Sequence, residues 1–357
     1  MVEWKKLGEV CSNMDSLRKP IKEDYRIKGP YPYYGASGIV DYIDSYIFDG
    51  DFLLVSEDGA NLTARTSPIA FSIRGKNWVN NHAHVLAFEN KITQKLVEVY
   101  LNSIDLSPWI NGAAQPKLNQ ANLKTIPIPI PSLSEQSRIV SILDTFISSI
   151  SNLKQQIEER RKQYEYERDL LLDLEGKEGV EMKVEDFCVL KAGKNIKADD
   201  ISEENIESHY PCFGGNGIRG FVSFYSHDGQ YPIIGRQGAL CGCVAWATGK
   251  FYATEHAVVV TGKNMVCQRF LLHLFQYANL NQYKSQGAQP GLSVAKLNEI
   301  KFFIPPLSTQ SRIVSILDTF EQSISNLEEQ LAMREKQYEY YRNQLLTFEG
   351  EEERGKT

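Results

Sequence analysis

The sequence is poor in the features that announce the commonest chemistries. Six cysteines occur among 357 residues, and no two of them form a C-x-x-C pair. They therefore offer neither a zinc cluster nor the framework of a small disulfide-rich domain. Reduced thiols in a cytoplasmic protein are the simple expectation. No apolar run approaches the roughly 18 residues that span a bilayer. The opening MVEWKKLGEV has no apolar core of a secretory signal. A basic excess is missing as well: 39 Lys+Arg face 45 Asp+Glu, for a net charge of −6. Over the whole chain that balance does not advertise a polyanion binder.

Catalytic motifs are also scarce. There is no P-loop, no Asn/Asp-Pro-Pro-Tyr/Phe adenine-methylation motif and no recurring Ser/His/Asp order. Gly215, Gly217 and Gly220 match G-x-G-x-x-G, but no convincing helix follows and the corresponding earlier stretch reads ASGIVD. A Gly-rich hairpin turn is the better reading. Asp41, Asp44, Asp49, Asp51, Glu57 and Asp58 have no counterpart in the second half except Asp228, so they read as solvated turn residues rather than metal ligands.

What the sequence does hold is a repeat. SRIVSILDTF occurs at 137–146 and again at 311–320. Residues 131–176 align with 305–350 without a gap, and 31 of 46 positions are identical. The stretches before them align sparsely. YPYYGASGI (31–39) answers YPCFGGNGI (210–218), His82 answers His256, and AQPKL (114–118) answers AQPGL (288–292). The first copy has five more residues between 60 and 82. The chain is thus two diverged domains, each followed by a nearly invariant segment. The shared His82/His256 and Cys11/Cys188 fit scaffold packing better than catalysis. The acidic excess lies in the two repeated segments and the tail, with −3 over 131–176 and −4 over 305–357, whereas residues 1–130 and 177–304 are close to neutral. A balanced domain can still carry a basic face.

The repeated segments have the spacing of long helices. Ile139, Leu143, Phe146, Ile150, Leu153 and Ile157 step by 4 and 3, as do Ile313, Leu317, Phe320, Ile324, Leu327 and Leu331. Arg160 and Arg334 break the seam. Ser134 is the expected N-cap of the first helix, and Gly176 and Gly350 suit C-terminal caps. About 40 residues at 1.5 Å per residue give about 60 Å. Antiparallel pairing of the two seams is expected. Packing of each helix on its own domain, or dimerisation through the helices, is the alternative. FLLVSEDGA, SPIAFSI, YPIIGRQGA and KFYATEHAVVV read as short strands. QKLVEVYLNSI and CQRFLLHLFQYANL read as helices near the end of each domain. The fold class is α+β: two strand-rich domains separated by two long helices that form an antiparallel coiled coil, with pseudo-twofold symmetry.

The order AQPKL…IPIPIPSLSEQSRIVSILDTF, then AQPGL…FFIPPLSTQSRIVSILDTF, each after a YP…G..GI domain, resembles the specificity (S) subunit of type I restriction-modification systems. The likeness covers nearly the whole chain. It implies target-recognition domains at 1–130 and 177–304, spacer helices at 131–176 and 305–350, and a short tail at 351–357. Each domain would read one half of a split double-stranded DNA site, and the helices would fix the gap. Half-sites on one face of B-DNA lie roughly 34 Å apart. The resemblance further implies two methyltransferase (M) subunits docked on this chain, with restriction/translocase (R) subunits joining them. It implies no cofactor here, with S-adenosylmethionine and ATP/Mg on the partners, and no catalytic residue. A stand-alone restriction or methylation enzyme with an unrecognised catalytic site is the competing reading, and an interaction scaffold without a DNA role is a third.

On that resemblance the diverged loops become candidate readers. Glu57 and Asp58 align with Arg236 and Gln237, so one loop offers acceptors and the other a guanidinium and an amide. Asn61 and Arg65 continue the first loop. Asn80, Asn81, Lys117, Lys191, Lys194 and Lys197 are candidate phosphate contacts.

Overall fold

Alternation of apolar residues at the centre of the first domain puts Leu53 and Val55 on one sheet face and Leu54 on the other, all three fully buried. The computed structural model describes residues 2–112, 115–175, 179–238, 240–285 and 290–348. Its first domain contains β1 (Glu3–Lys6), α1 (Leu7–Val10), β2 (Ser12–Asn13), β3 (Lys28–Gly35), β4 (Gly38–Ile43), β5 (Phe48–Ser56), α2 (Asn61–Ala64), β6 (Ala70–Val79), β7 (Ala83–Ala87), α3 (Lys91–Ser103), α4 (Gln120–Thr125) and β8 (Pro127–Ile130). Six strands form one sheet in the order β2-β7-β5-β6-β3-β4. All neighbours are antiparallel except β3 and β6, which share two rungs, Tyr33 with Trp78 and Tyr34 with Val79. β1 and β8 form a separate antiparallel ribbon. Asn90 caps α3 by accepting from the backbone N–H groups of Ile92 and Thr93. Leu96, Val97, Tyr100 and Leu101 of α3 then cover one face of the sheet.

A long helix, α5 (Leu133–Leu172), follows. The second domain then repeats the plan with β9 (Val180–Lys183), α6 (Val184–Phe187), β10 (Cys188–Ala192), β11 (Tyr210–Gly214), β12 (Gly217–Val222), β13 (His227–Gly235), β14 (Val244–Ala253), β15 (Ala257–Gly262), α7 (Gln268–Tyr277), α8 (Val294–Asn298) and β16 (Lys301–Ile304). Its sheet order is β10-β15-β13-β14-β11-β12, again with a single parallel pair, β11 and β14. The Gly-rich motif is a hairpin turn in which Gly214 pairs with Gly217, not a nucleotide fingerprint. The five additional residues of the first domain lie between β5 and β6, where 57–69 carries α2, against 236–243 in the second domain. The paired cysteines are structural. Cys11 Sγ donates to Leu7 O at 3.2 Å and Cys188 Sγ to Val184 O at 3.4 Å. Burial pushes both thiols up to about 12.

The second long helix, α9 (Leu307–Leu346), closes the described fold, and both long helices run for 40 residues. The chain divides into two units, residues 1–152 with 330–357 and residues 153–329. Each unit holds one domain, the start of the helix that follows it and the far half of the other helix. Within the first unit, Ile139 and Leu143 pack into the domain core together with Leu346 and Tyr338. Within the second, Ile313 and Leu317 do the same with Leu172 and Tyr164. Phe146 stacks on Tyr341 at 5.3 Å in one unit, and Phe320 meets Tyr164 at 6.5 Å in the other. The start of each helix meets the end of the other, so the pairing is antiparallel in both units. Packing on the helix's own domain and helix pairing therefore coexist. Arg334 lies 5.7 Å over Phe146 and Arg160 lies 5.8 Å over Phe320, so the breaks in the seam are cation–π contacts. Ile157 is buried, and Ile150, Leu153, Ile324, Leu327 and Leu331 are half-buried.

Each helix is clipped to its domain by a buried glutamine. Gln136 Nε2 donates to Pro131 O and Gln310 Nε2 to Pro305 O, both at 2.8 Å. Gln136 Oε1 accepts from Thr93 Oγ1, and Gln310 Oε1 from Cys267 N, again at 2.8 Å. The expected cap shifts by two residues. Pro131 ends the extended chain and the helix opens at Leu133, so Ser132 is the cap, its Oγ accepting a long 3.4 Å bond from Glu135 N. Ser134 lies in the first turn. The C-cap glycines Gly176 and Gly350, and the tail 351–357, lie outside the described residues.

Candidate nucleic-acid interface

The strands β5 and β13 release the chain at equivalent points, Glu57 and Arg236. Glu57 N donates to His82 O and Arg236 N to His256 O, both at 2.9 Å. Leu118 N donates to Glu57 O and Leu292 N to Arg236 O, both at 2.8 Å. Gly59 N and Gly238 N reach Pro116 O and Pro290 O at 3.3 and 3.1 Å. The ends of the AQPKL and AQPGL segments are thus laid along the two loops. The hairpin turn closes the third side. In the first domain Ser56 Oγ donates to Ala36 O at 2.5 Å. In the second, glycine is required, since a Cβ at Gly235 would lie 1.9 Å from Gly215 O. Hairpin turn, loop, Pro290–Gly291 and His256 enclose a cleft of about 690 Å³ in the second domain.

The same place is electrostatically different in the two domains. In the first, Glu57 is nearly buried, not a solvated turn acid as its sequence context suggests. It accepts from Arg18 Nη1 at 2.6 Å and faces Lys117 Nζ at 3.2 Å and His84 Nδ1 at 3.7 Å. His84 is fully buried, with Nδ1 2.6 Å from Asp15 and Nε2 2.7 Å from Leu118 O. Burial opposes ionisation of Asp15 and Glu57. Hydrogen bonds from His84 and Val85 to Asp15, and from Arg18 and Lys117 to Glu57, outweigh it and hold both carboxyls below their usual range. Asp58 pairs with His82 Nδ1 at 2.9 Å. In the second domain the positions of Asp15, Glu57 and His84 hold Ala192, Arg236 and Val258. Arg236 is half-buried, and its Nε has no hydrogen-bond partner among the described residues. Gln237 is exposed on the rim of the cleft.

The remaining candidates scatter. Asn61 staples its own loop, donating to Ser67 O at 2.9 Å and accepting from Ser67 N at 3.0 Å. Arg65 turns inward: Nη2 donates to Ile104 O at 3.1 Å and Nη1 to Leu101 O at 3.4 Å, at the end of α3. Asn80 is buried, with Oδ1 accepting from His82 N at 2.8 Å. Asn81 is exposed and its carbonyl accepts from Arg18 at 3.4 Å. Lys117, Lys191, Lys194 and Lys197 are exposed. Two groups of possible metal-binding side chains occur among the described residues, Asp15–Glu57–His84 and His273–Asp318–Glu321. In each an arginine, Arg18 or Arg269, already supplies the cation to the carboxylates. Sequence reasoning missed Asp15, Arg18 and His84, whose contacts span 39 to 70 positions along the chain. It also passed over Arg219, although the alignment already sets it opposite Val40.

One strand-rich domain built twice, with matched helices and unmatched side chains around the same cleft, defines a duplicated recognition protein. The family described as type I restriction modification DNA specificity domain matches residues 1–160 and 177–333. A type I restriction enzyme specificity subunit of Haemophilus influenzae is 33% identical over 372 residues, spanning 97% of this chain and 96% of its own. The EcoprrI specificity subunit of Escherichia coli is 45% identical over 216 residues, 57% of this chain and 54% of that one. In fold, the S subunit of a type I system from M. genitalium superposes with a TM-score of 0.71 at 15% identity, covering 98% of this chain and 96% of that one. The chain belongs to the family of type I restriction-modification specificity subunits. These are the DNA-recognition subunits of such systems, not the catalytic ones. Among the described residues no helix is long and apolar enough to cross a membrane.

Proposed function

We propose that residues 1–130 and 177–304 act as two target-recognition domains, each reading one half of a bipartite duplex site. The segments 131–176 and 305–350 set the spacing and present two matched surfaces to two methyltransferase subunits. Restriction/translocase subunits join that core in the cytoplasm, and S-adenosylmethionine and Mg-ATP act on those partners. The observation that carries this reading is the divergence of one cleft inside a duplicated topology. At the end of the central strand, beside that cleft, Glu57, Asp58 and Lys117 stand where Arg236, Gln237 and Gly291 stand in the second domain. Two identical heads would read a palindrome; two unlike heads read two sequences.

The test is a domain exchange in the complete complex. Residues 177–304 are replaced by the second domain of another family member, and methylated motifs are mapped in the host genome. One half of the motif changes and the other stays. A change in both halves, or in neither, overturns independent reading. Filter binding at varied salt accompanies it: a sequence-reading complex loses affinity steeply as salt rises, and absence of DNA affinity in the whole complex removes the proposal.

A further inference from the structure

We propose that Arg219 is a specificity-determining residue, reading with Gln237 the major-groove edge of a purine in one half-site. This rests on the reading of the chain as a DNA-recognition subunit and names the side chains through which the second domain performs it.

Position comes first. Arg219 sits on β12, just past the Gly-rich turn, and lines the same cleft as Gln237. A Cβ built on Gly214 would lie 3.5 Å from Arg219 Cβ, and one built on Gly35 would lie 3.1 Å from Val40 Cγ2. The two residues therefore occupy the same place in the two domains, as their alignment requires. The cleft wall is firm there, because a Cβ at Gly215 would meet Gln237 O at 2.8 Å. Hairpin turn and loop pack backbone on backbone, which fixes the separation of the two side chains.

Availability comes second. Arg219, Gln237 and Asn216 are exposed, and among the described residues their side chains make no hydrogen bond or ion pair. In the first domain the counterpart of Gln237, Asp58, is spent on His82, and the nearby cation Lys117 is spent on Glu57. Arg236, which the alignment singles out, is the poorer reader, since it is half-buried and does not line the cleft.

Chemistry comes third. A guanidinium fork fits guanine O6 and N7, and an amide fits adenine N6 and N7. An amide that both donates and accepts suits a base edge better than a phosphate, which only accepts. Val40 in the first domain offers a methyl surface instead, of the kind that meets thymine.

The test uses the complete complex with its methyltransferase subunits. Arg219→Ala, Arg219→Lys and Gln237→Ala are compared with the parent against a panel of duplexes, each altered at one position of the mapped site. Arg219→Ala should lose about tenfold or more of its discrimination at one position of one half-site. The other half-site should be untouched, and Arg219→Lys should not restore the loss. Uniform weakening across all duplexes marks a phosphate contact and overturns the assignment, as does unchanged discrimination. Thermal unfolding of each variant complex checks that these exposed substitutions leave the fold intact. Should the unaltered complex show no sequence preference at all, the reading of the chain as a recognition subunit fails, a result separate from either outcome for Arg219.

Discussion

The two domains share every strand pairing, yet they spend their charges in opposite ways at the end of the central strand. In the first, Asp15, Arg18, Glu57, His84 and Lys117 satisfy one another and leave Asp58 with His82 on the rim. In the second, apolar Ala192 and Val258 fill the interior and the donors Arg219 and Gln237 stay open. At this one place, charge is engaged inside the first domain and left open in the second. The comparison teaches that topology and the helix attachments are held constant while the chemistry of one cleft varies.

The largest expected effect tests the constant part. Leu143→Ala and Leu317→Ala, at equivalent fully buried sites, should each cost about 2–5 kcal/mol. Chemical denaturation with hydrogen exchange resolved by unit would show each loss in its own unit and of similar size. A cost below about 1 kcal/mol at one site alone would break the equivalence. Acid tests the variable part. Asp15 and Glu57 are held below their unfolded values, so the stability they confer is present above about pH 4 and is lost as pH falls through their folded values. Amide protection in β7 should therefore fall before protection in β15 on acidification; the reverse order would contradict the ionic assignment. The smallest effect concerns the seam. Arg160→Ala and Arg334→Ala should each cost about 0.5–1 kcal/mol, equal in the two units and little changed by salt. Unequal costs would show that the matched contacts are not energetically matched.

Much of this architecture was legible in the sequence. An ungapped 46-residue repeat with a 4-and-3 apolar seam leaves few alternatives to two paired helices, and both run where the seam places them. The strands around FLLVSEDGA and YPIIGRQGA were equally readable from their apolar content. The role of Gln136 and Gln310 was not, since a glutamine near a helix start gives no sign that both ends of its amide will be buried. The candidate readers were located loop by loop but not atom by atom. Arg65 was drawn away by the carbonyls at the end of α3, and Glu57 by Arg18, 39 positions earlier. Partners that distant leave no local pattern, so a charged turn residue looks the same whether it is open or engaged.

The short parallel ladder has a mechanical consequence. Each hairpin hangs from the rest of its sheet by two rungs, Tyr33–Trp78 and Tyr34–Val79 in one, Cys212–Tyr252 and Phe213–Ala253 in the other. With so few ladder bonds, each hairpin depends on contacts near its turn to hold its place against the loop. The Ser56 hydroxyl latches the first flap to Ala36, whereas Gly235 stands at that position in the second and supplies no latch. The second jaw is held there by bare backbone instead, since a Cβ at Gly235 would lie 1.9 Å from Gly215 O.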